Sequence, residues 1–393
     1  MANLKNTESM PRDGANLSNW RLTPFSKWGF ENVRQLIPTA NIATSRQSKP
    51  LPSADSGLSA DIELACTQGG NLEQYLTDSF SDHMVILRRG QKIYEWHAPH
   101  SNSNQPHIVF SVSKSITAML AGILVEEGIL DVTQSILHYL PGVKGSGYKD
   151  CSVQQLLDMT VALAFEESYL EPTGDYRRYR DATGWNAVDQ TRPRPDLETF
   201  LYGLKKSTAE HGEVFDYKSP NSDLLGLLIE RAAGIPFAEL LSAKIWQPMG
   251  AETDAYVTVD QSQLARGAGG ICVTVDDLAR FGQLILDRGV VGQRQVIPAS
   301  WIEDTMTRGD RDTWLKGTFA SLLPNGCYRN QWYQSGDPER SLIAIGIHGQ
   351  WLYINPASEL VIARLSSQPE PLDDALDILT LKLFSELTNT IAN

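Results

Sequence analysis

The chain has 393 residues and carries 34 basic against 47 acidic side chains, a formal net charge of −13. This acidic balance repels phosphate backbones and anionic lipid, so it argues against nucleic acid or a membrane surface as a partner. With 30 Gly and 20 Pro, the chain is neither collagen-like nor dominated by linkers. A hydrophobic share of 41% is enough for a large core.

The four cysteines are scattered, and none belongs to a CxxC pair or a Cys/His cluster. The sequence therefore indicates neither a zinc site nor a redox pair, and we expect no metal and no cofactor. The N-terminal segment has no apolar stretch of the secretory kind, and a run of about 18 apolar residues occurs nowhere. We therefore predict a cytoplasmic protein.

In chain order, residues 1–60 show weak periodicity and predict an irregular N-terminal arm. From residue 83 the runs HMVILRR and KIYEWHA flank a glycine turn and predict a β-hairpin. Residues 111–128 have apolar positions at helical spacing and end on a glycine, which predicts a helix. Residues 165–215 are rich in Pro, Gly, Arg and aromatic residues. They are too long for a plain connector and indicate a functional loop.

The middle of the chain is mainly helical in pattern. Ser152 is a predicted N-cap, and apolar residues recur at helical spacing over 222–233, 236–246 and 275–288. Thr274, with an acidic residue three positions later, is the predicted N-cap of the last of these helices.

The C-terminal part predicts three strands, SLIAIGIHG, WLYIN and ELVIARLS, and then an amphipathic helix, LDDALDILTLKLFSEL. Two early and three late strands predict one antiparallel sheet built from both chain ends, hence an α+β fold. The predicted domains are a discontinuous α/β sheet domain (61–110 and 335–393) and a mainly helical inserted domain (111–334).

The sequence lacks GxxxxGK[ST], HExxH, GxGxxG and GxSxG motifs, but Ser-x-x-Lys occurs twice. Ser146 and Lys149 lie in a glycine-rich turn that does not fix their geometry, so we interpret that copy as chance. Ser111 begins a helix, where side chains three residues apart share a face. Free N–H groups at the helix start favour an oxyanion, and burial of Lys114 would lower its pKa and make it a base.

The motif alone does not decide between this chemistry and a plain structural role. Ser111 could be an ordinary N-cap, which is very common at helix starts. Lys114 could be a solvated lysine in the first turn. The later segments of the chain favour the catalytic interpretation.

Two further segments follow SVSKS in order, FDYKSPN at 215–221 and AIGIHGQ at 344–350, before an aromatic strand. Together they resemble the serine β-lactamase and penicillin-binding-protein-like hydrolases, with SxxK, a Tyr- or Ser-x-Asn motif and a glycine-bearing strand. The loop Tyr169-x-Glu171-Pro172 and the pair Gly184-Trp185 are similar to nylon-oligomer (aminohexanoate-dimer) hydrolases and related carboxylesterases. The resemblance covers most of residues 80–390.

The resemblance implies a β-lactamase-like fold and a serine hydrolase that acts through an acyl-enzyme. Ser111 would be the nucleophile, Lys114 would accept its proton, and Tyr217 would relay a proton to the leaving group. The backbone N–H groups of Ser111 and Ile347 would form the oxyanion hole. Substrate-binding residues would be Tyr169, which hydrogen-bonds the scissile nitrogen, Trp185 in the same covering loop, and Ser219 of the second motif.

Plain alternatives stand beside these roles. Tyr217 could be a core tyrosine, Trp185 simple packing and Ile347 an ordinary strand residue. His348 invites a triad interpretation, but no Ser–His spacing supports one, and we leave it out of the catalytic set.

Two departures from the family pattern bear on the substrate. Penicillin-recognising enzymes carry Lys-Thr-Gly on the third strand. If Gly346 takes the place of that glycine, Ala344 stands in the place of the lysine; the alternative register, which uses His348-Gly349, fits GIHGQ less well. Loss of that lysine argues against β-lactam hydrolysis and favours short-chain esters and linear amides.

The carboxylate of strong nylon-oligomer hydrolases aligns with Arg180, or one place off with Asp181. Arg180 would repel an ammonium tail, whereas Asp181 would bind it. With no gap between Tyr169 and Trp185, the aligned residue is Arg180. We therefore expect ester hydrolysis to exceed aminohexanoate-dimer hydrolysis.

Two competing functions remain at this point. One is a D-amino-acid peptidase or β-lactamase, against which the missing Lys-Thr-Gly counts. The other is a non-catalytic, penicillin-binding-like ligand-binding protein, which would be expected to have lost the Ser/Lys/Tyr set. The expected partner is a small ester or amide substrate, and the sequence leaves open whether the chain forms a homodimer.

Overall fold

The computed structural model describes residues 14–392 except 46, 47, 55, 56, 60, 68, 69, 190, 192 and 193. Its strands are β1 (Thr39–Ile42), β2 (Ser81–Arg88), β3 (Gln91–His97), β4 (His107–Ile108), β5 (Ala255–Thr258), β6 (Ile271–Val273), β7 (Val290–Val291), β8 (Arg294–Gln295), β9 (Cys327–Arg329), β10 (Trp332–Gln334), β11 (Leu342–Gly346), β12 (Gln350–Asn355) and β13 (Leu360–Ser366).

The α-helices are α1 (Ser26–Gly29), α2 (Leu72–Asp78), α3 (Val112–Glu126), α4 (Ile136–Tyr139), α5 (Val153–Leu157), α6 (Gly174–Ala182), α7 (Leu197–Gly203), α8 (Ser219–Ala233), α9 (Phe237–Leu241), α10 (Val275–Leu286), α11 (Ala299–Thr307), α12 (Arg311–Leu315) and α13 (Asp374–Ala392). A π-helical turn, Ser242–Trp246, continues α9. Within these described residues no helix is long and apolar enough to cross a membrane.

The main sheet is antiparallel and has the order β3-β2-β13-β12-β11-β10-β9. Its early hairpin, β2 and β3, joins the late strands where β2 pairs with β13, with Ile86 opposite Ile362. The predicted hairpin and the predicted sheet from both chain ends are therefore confirmed.

Both faces of this sheet are covered, which explains why its strands are continuous apolar runs. Along β12 the side chains alternate between two cores. Trp351 and Tyr353 pack against Phe384 of α13, with ring centroids 5.9 and 5.4 Å apart. Leu352 faces α10 on the other side. A Cβ on Gly282 of α10 would lie 2.8 Å from a Leu352 methyl carbon, so glycine allows this close helix–sheet contact.

A second, small sheet has the order β1-β5-β6-β4. Its edge strand β4 is two residues long and pairs through Ile108 with Cys272 of β6. The chain leaves β4 and enters α3 within four residues, so this small sheet fixes where α3 begins.

The structure differs from the sequence-based expectations in three places. Residues 165–215 contain α6 and α7. Five of the nine residues of α6, GDYRRYRDA, are charged and give no apolar periodicity, so the pattern gave no sign of this helix. Strands β9 and β10 belong to the main sheet although they precede residue 335. Within the predicted arm, β1 pairs with β5, while residues 1–13 lie outside the described residues.

Candidate active site

Ser111 lies at the N-terminal end of α3, directly after a strained residue. Phe110 has a φ of +42°, in a region that bulky side chains rarely adopt. Its ring packs against Phe30, Trp185 and His348 with centroids 5.0, 5.9 and 5.3 Å apart. Backbone strain of this kind persists only where the surrounding structure holds the residue in place, and it is often found at functional sites. As the N-cap of α3, Ser111 makes no side-chain capping hydrogen bond, so its hydroxyl is available for other partners.

Lys114 is one partner of that hydroxyl. Its Nζ lies 3.0 Å from Ser111 Oγ and donates a hydrogen bond to the carbonyl oxygen of Ala268 at 2.7 Å. The side chain is only 2% exposed, and this burial lowers the pKa of Lys114 from 10.5 to about 8. A lysine with this pKa is partly neutral at physiological pH, and its free lone pair can then accept the Ser111 proton.

Asp223 positions the carbonyl group that holds Lys114. It is fully buried on α8 and accepts hydrogen bonds from the Tyr179 hydroxyl and, at 2.8 Å, from the backbone N–H of Ala268. Burial raises the pKa of Asp223, an effect that nearby Arg266 opposes. Sequence reasoning missed Asp223. Its position four residues after Ser219 on a helix was the only available signal.

Tyr217 lies just before α8 and faces the Ser111–Lys114 pair. Lys114 Nζ is 5.0 Å from the centroid of the Tyr217 ring, which also packs on Phe319 at 5.3 Å. Burial raises the pKa of Tyr217 well above 10, while a hydrogen bond with Ser111 opposes that shift. Tyr217 is therefore protonated at neutral pH and can donate its proton.

The turn between β11 and β12 brings Ile347 to Ser111. A Cβ on Gly346 would lie 2.6 Å from the carbonyl oxygen of Val109, so only glycine lets β11 approach the segment before Ser111 this closely. Neither the Ser111 nor the Ile347 amide donates to another described residue in a turn, loop or cap. Two such free N–H groups beside a hydroxyl can bind an oxyanion.

The cavity at Ser111 is narrow, about 20 Å³, and wider spaces adjoin it on two sides. Tyr169, Tyr217 and Phe319 also line a groove of about 470 Å³. Tyr169 and Ile347 also line a pocket of about 440 Å³. A bound substrate can therefore extend in two directions from the reacting carbonyl.

Glu167 is a second residue that sequence reasoning missed. The Tyr169 hydroxyl donates to its carboxylate at 2.9 Å and the Ser219 hydroxyl at 2.5 Å. Tyr169 lines the cavity at Ser111, but its hydroxyl points to Glu167. Ser219 is buried and supports Glu167 instead of facing the cavity. Glu167 lies only two residues before Tyr169, in the loop that the sequence did single out.

Trp185 does not cover the site, contrary to what the resemblance implied. It is 1% exposed, and its Nε1–H donates to Thr258 Oγ1 at 3.2 Å. The Arg266 guanidinium carbon lies 3.6 Å from the centroid of its ring. Trp185 therefore supports Phe110 from behind, because the aromatic cluster takes up its whole surface.

The structure also separates Arg180 from Asp181. Arg180 lines the pocket of about 440 Å³ beside Tyr169. Asp181 instead accepts hydrogen bonds from Arg177 at 3.0 Å and Asn186 at 2.6 Å. Arg180 therefore lines this pocket, and Asp181 is not among the residues that line it.

His348 and Ser146, which we set aside, lie outside this arrangement. His348 is 5% exposed and its Nδ1 lies 2.8 Å from the carbonyl oxygen of Gln368. Burial lowers the pKa of His348 to about 4, so the ring is neutral. Ser146 donates to the carbonyl oxygen of Val143 at 2.8 Å, whereas Lys149 is exposed. The second Ser-x-x-Lys copy is therefore a turn.

Comparison with known proteins agrees with this fold. The family model described as Beta-lactamase matches residues 72–384. A 6-aminohexanoate-dimer hydrolase of Paenarthrobacter ureafaciens is 33% identical over 90% of this chain and 88% of its own length. A solved Bacillus anthracis structure, provisionally named a 6-aminohexanoate-dimer hydrolase, superposes with a TM-score of 0.89 at 24% identity, covering 98% of both chains. A family VIII carboxylesterase has a TM-score of 0.58 at 15% identity over 79% of this chain and 96% of its own.

The fold and the family match define a β-lactamase-like serine hydrolase. The chain belongs to the Beta-lactamase family and is related to a 6-aminohexanoate-dimer hydrolase.

Proposed function

We propose that this protein hydrolyses short-chain carboxylic esters through an acyl-enzyme on Ser111, with linear amides as a second class of substrate. The observation that carries the proposal is the 3.0 Å distance between Ser111 Oγ and the Nζ of a buried lysine. That geometry places a hydroxyl and a base within hydrogen-bonding reach. The relationship to a 6-aminohexanoate-dimer hydrolase supports the inclusion of linear amides.

The proposed reaction has two halves. The Ser111 proton passes to Lys114 Nζ as Oγ attacks the substrate carbonyl carbon, and the Ser111 and Ile347 amides bind the resulting oxyanion. Tyr217 then donates its proton to the leaving oxygen or nitrogen, and Lys114 returns a proton to the phenolate. Water, activated by the same pair, hydrolyses the ester that Ser111 has formed.

The third strand bears on β-lactams. Ala344 is fully buried in β11, where penicillin-recognising enzymes present the lysine of Lys-Thr-Gly. With no cation at that position, the ring carboxylate of a β-lactam lacks its partner there. This supports linear substrates over the peptidase or β-lactamase alternative.

A fluorophosphonate probe tests the proposed nucleophile directly. Such probes phosphonylate an activated serine hydroxyl and leave ordinary serines unmodified. We expect one equivalent of label, mapped by mass spectrometry to the peptide that contains Ser111. Labelling of the Ser146 peptide, or no labelling by a folded protein, would contradict the proposal. A non-catalytic binding protein would show no labelling at all.

The pH dependence follows from the environment of Lys114. Lys114 must be neutral to accept a proton, so kcat/KM is expected to rise with pH through about 8, its pKa, and then level off. Burial sets this lowered pKa, and the Glu167 carboxylate raises it in opposition. Glu167→Gln removes that negative charge, so the rising limb is expected to move to lower pH.

The control for this experiment is Glu210→Gln, an exposed carboxylate paired with Lys206 on the surface. This variant is expected to leave the rising limb of the kcat/KM–pH profile at its native position. A limb that moves to higher pH in Glu167→Gln, or does not move, would show that Lys114 is not the group titrating in kcat/KM.

A further inference from the structure

The pocket of about 440 Å³ beside Ser111 is lined by three arginines, Arg21, Arg177 and Arg180. It adjoins the cavity at Ser111, because Tyr169 and Ile347 line both spaces. In a protein with a net charge of −13, three guanidinium groups around one pocket are a local exception.

Two of these arginines have no carboxylate partner in the described part of the chain. Arg180 reaches only the carbonyl oxygens of Tyr169 at 3.5 Å and Glu171 at 3.3 Å, and its Nε is buried without a partner. Arg21 donates to the side-chain oxygen of Asn186 at 3.2 Å. Arg177, in contrast, pairs with Asp181. Among the described residues that line the pocket, the one carboxylate, Glu370, is exposed.

Burial and mutual repulsion lower the pKa values of Arg21 and Arg180. Burial and, second to it, the charge of Arg180 lower the pKa of Arg21 to about 9. Burial also lowers the pKa of Arg180, as does the charge of Arg177. An anion in the pocket would relieve this repulsion and accept hydrogen bonds that these guanidinium groups do not make to the protein.

The groove on the other side of Ser111 has the opposite charge. Its single lysine, Lys218, is paired with Asp216. The carboxylates that line this groove are Glu166, Glu167, Asp216, Asp374 and Asp377. The two spaces next to the reacting serine therefore carry charges of opposite sign. A linear substrate that spans both spaces would be selected according to the charges at its two ends.

Tyr217 decides which end of a substrate lies in which space. It lines the acidic groove but not the arginine pocket. In the proposed mechanism Tyr217 protonates the leaving group, so the leaving group lies in the acidic groove. The acyl chain then extends the other way, into the arginine pocket.

We propose that this enzyme selects acyl groups that end in a carboxylate, such as monoesters and monoamides of linear dicarboxylic acids, and binds that carboxylate with Arg21 and Arg180. The proposal rests on the acyl-enzyme at Ser111 proposed above. The aminohexanoate dimer has the opposite polarity, since its acyl part ends in an ammonium and its leaving amine carries the carboxylate. Both of its charged ends would meet like charges here.

Three p-nitrophenyl esters with the same leaving group test the proposal in the native protein. Their acyl groups are hexanoate, the half-ester of adipate and 6-(trimethylammonio)hexanoate, which are neutral, anionic and cationic. Uncatalysed hydrolysis is subtracted for each ester. We expect kcat/KM for the adipate ester to exceed that for the cationic ester by about 10- to 100-fold, the scale of one or two charge-assisted hydrogen bonds.

The variant Arg180→Asp reverses one charge of the pocket, and its adipate-to-cationic kcat/KM ratio is expected to fall by at least about tenfold. The matched control is Arg178→Asp on the same helix. Arg178 is 68% exposed, pairs with Asp175 and lies outside the pocket lining, so its ratio is expected to match the native one.

Equal kcat/KM for all three esters in the native protein, or an equal change of ratio in both variants, would overturn this proposal and leave the acyl-enzyme intact. If the native protein hydrolysed none of the three esters, the proposed function itself would be overturned. The comparison in the native protein needs no variant, so it stands even if Arg180→Asp does not fold.

Discussion

Replacing Ser111 by Ala is expected to abolish hydrolysis of p-nitrophenyl butyrate, with kcat/KM falling by about 10⁴ or more. The reason is that the proposed mechanism has no second nucleophile. The other serine in a Ser-x-x-Lys pattern, Ser146, donates to the carbonyl oxygen of Val143. The measurement is kcat/KM with purified protein whose folding is checked by circular dichroism.

The matched controls are Ser146→Ala and Lys149→Ala, which alter the same motif where it is only a turn. Both are expected to keep native turnover. If the Ser111→Ala protein hydrolysed the ester at the native rate, the acyl-enzyme assignment and the mechanism built on it would be wrong.

The second large effect concerns Lys114 and Tyr217, which we expect to act as one proton-transfer unit. Lys114→Ala and Tyr217→Phe should each lower kcat by about 10²–10⁴, the range expected for loss of a general acid or base. Residues that act as a unit show non-additive losses. The double variant should therefore be only slightly worse than the poorer single variant. The kcat values of the four proteins give this coupling.

The leaving group separates the two roles. p-Nitrophenolate leaves without needing a proton, whereas an alkoxide or an amine needs one. Tyr217→Phe is therefore expected to impair ethyl butyrate hydrolysis more than p-nitrophenyl butyrate hydrolysis, while Lys114→Ala should impair both. Tyr202→Phe, on α7, serves as the control for loss of a phenol hydroxyl. Strictly multiplicative losses, or equal losses on both esters in Tyr217→Phe, would show that Tyr217 is structural.

Local patterns predicted the parts of the fold that rest on local physics. The β2–β3 hairpin, helix α3 and the caps of α5 and α10 follow from alternation, helical spacing and capping residues. Helix α6 shows where prediction from local patterns fails. Its buried Tyr176 and Tyr179 are packed by residues elsewhere in the chain, and its polar composition gives no helical signal of its own.

The candidate site shows the same limit. Trp185, interpreted as part of a covering loop, is packed into the aromatic cluster around Phe110 instead. Asp223 and Glu167 were missed because each acts through a hydrogen bond to a residue distant in the chain. Asp223 reaches Ala268, 45 residues on, and Glu167 reaches Ser219, 52 residues on. No window of sequence contains both partners of either bond.

The sequence by itself determined the i, i+3 placement of Ser111 and Lys114 at a helix start, because that geometry depends only on the helix. It also determined the order of the motifs and hence the family. Only the tertiary structure decided that the Lys114 ammonium loses its proton easily enough for the amine to act as a base, since its burial and its Ala268 partner, 154 residues away, come from other elements. The arginine pocket was decided in the same way. Arg21 and Arg180 are far apart in the sequence and line the same pocket only in the folded protein. The positive charge that a substrate would meet there is the sum of their charges.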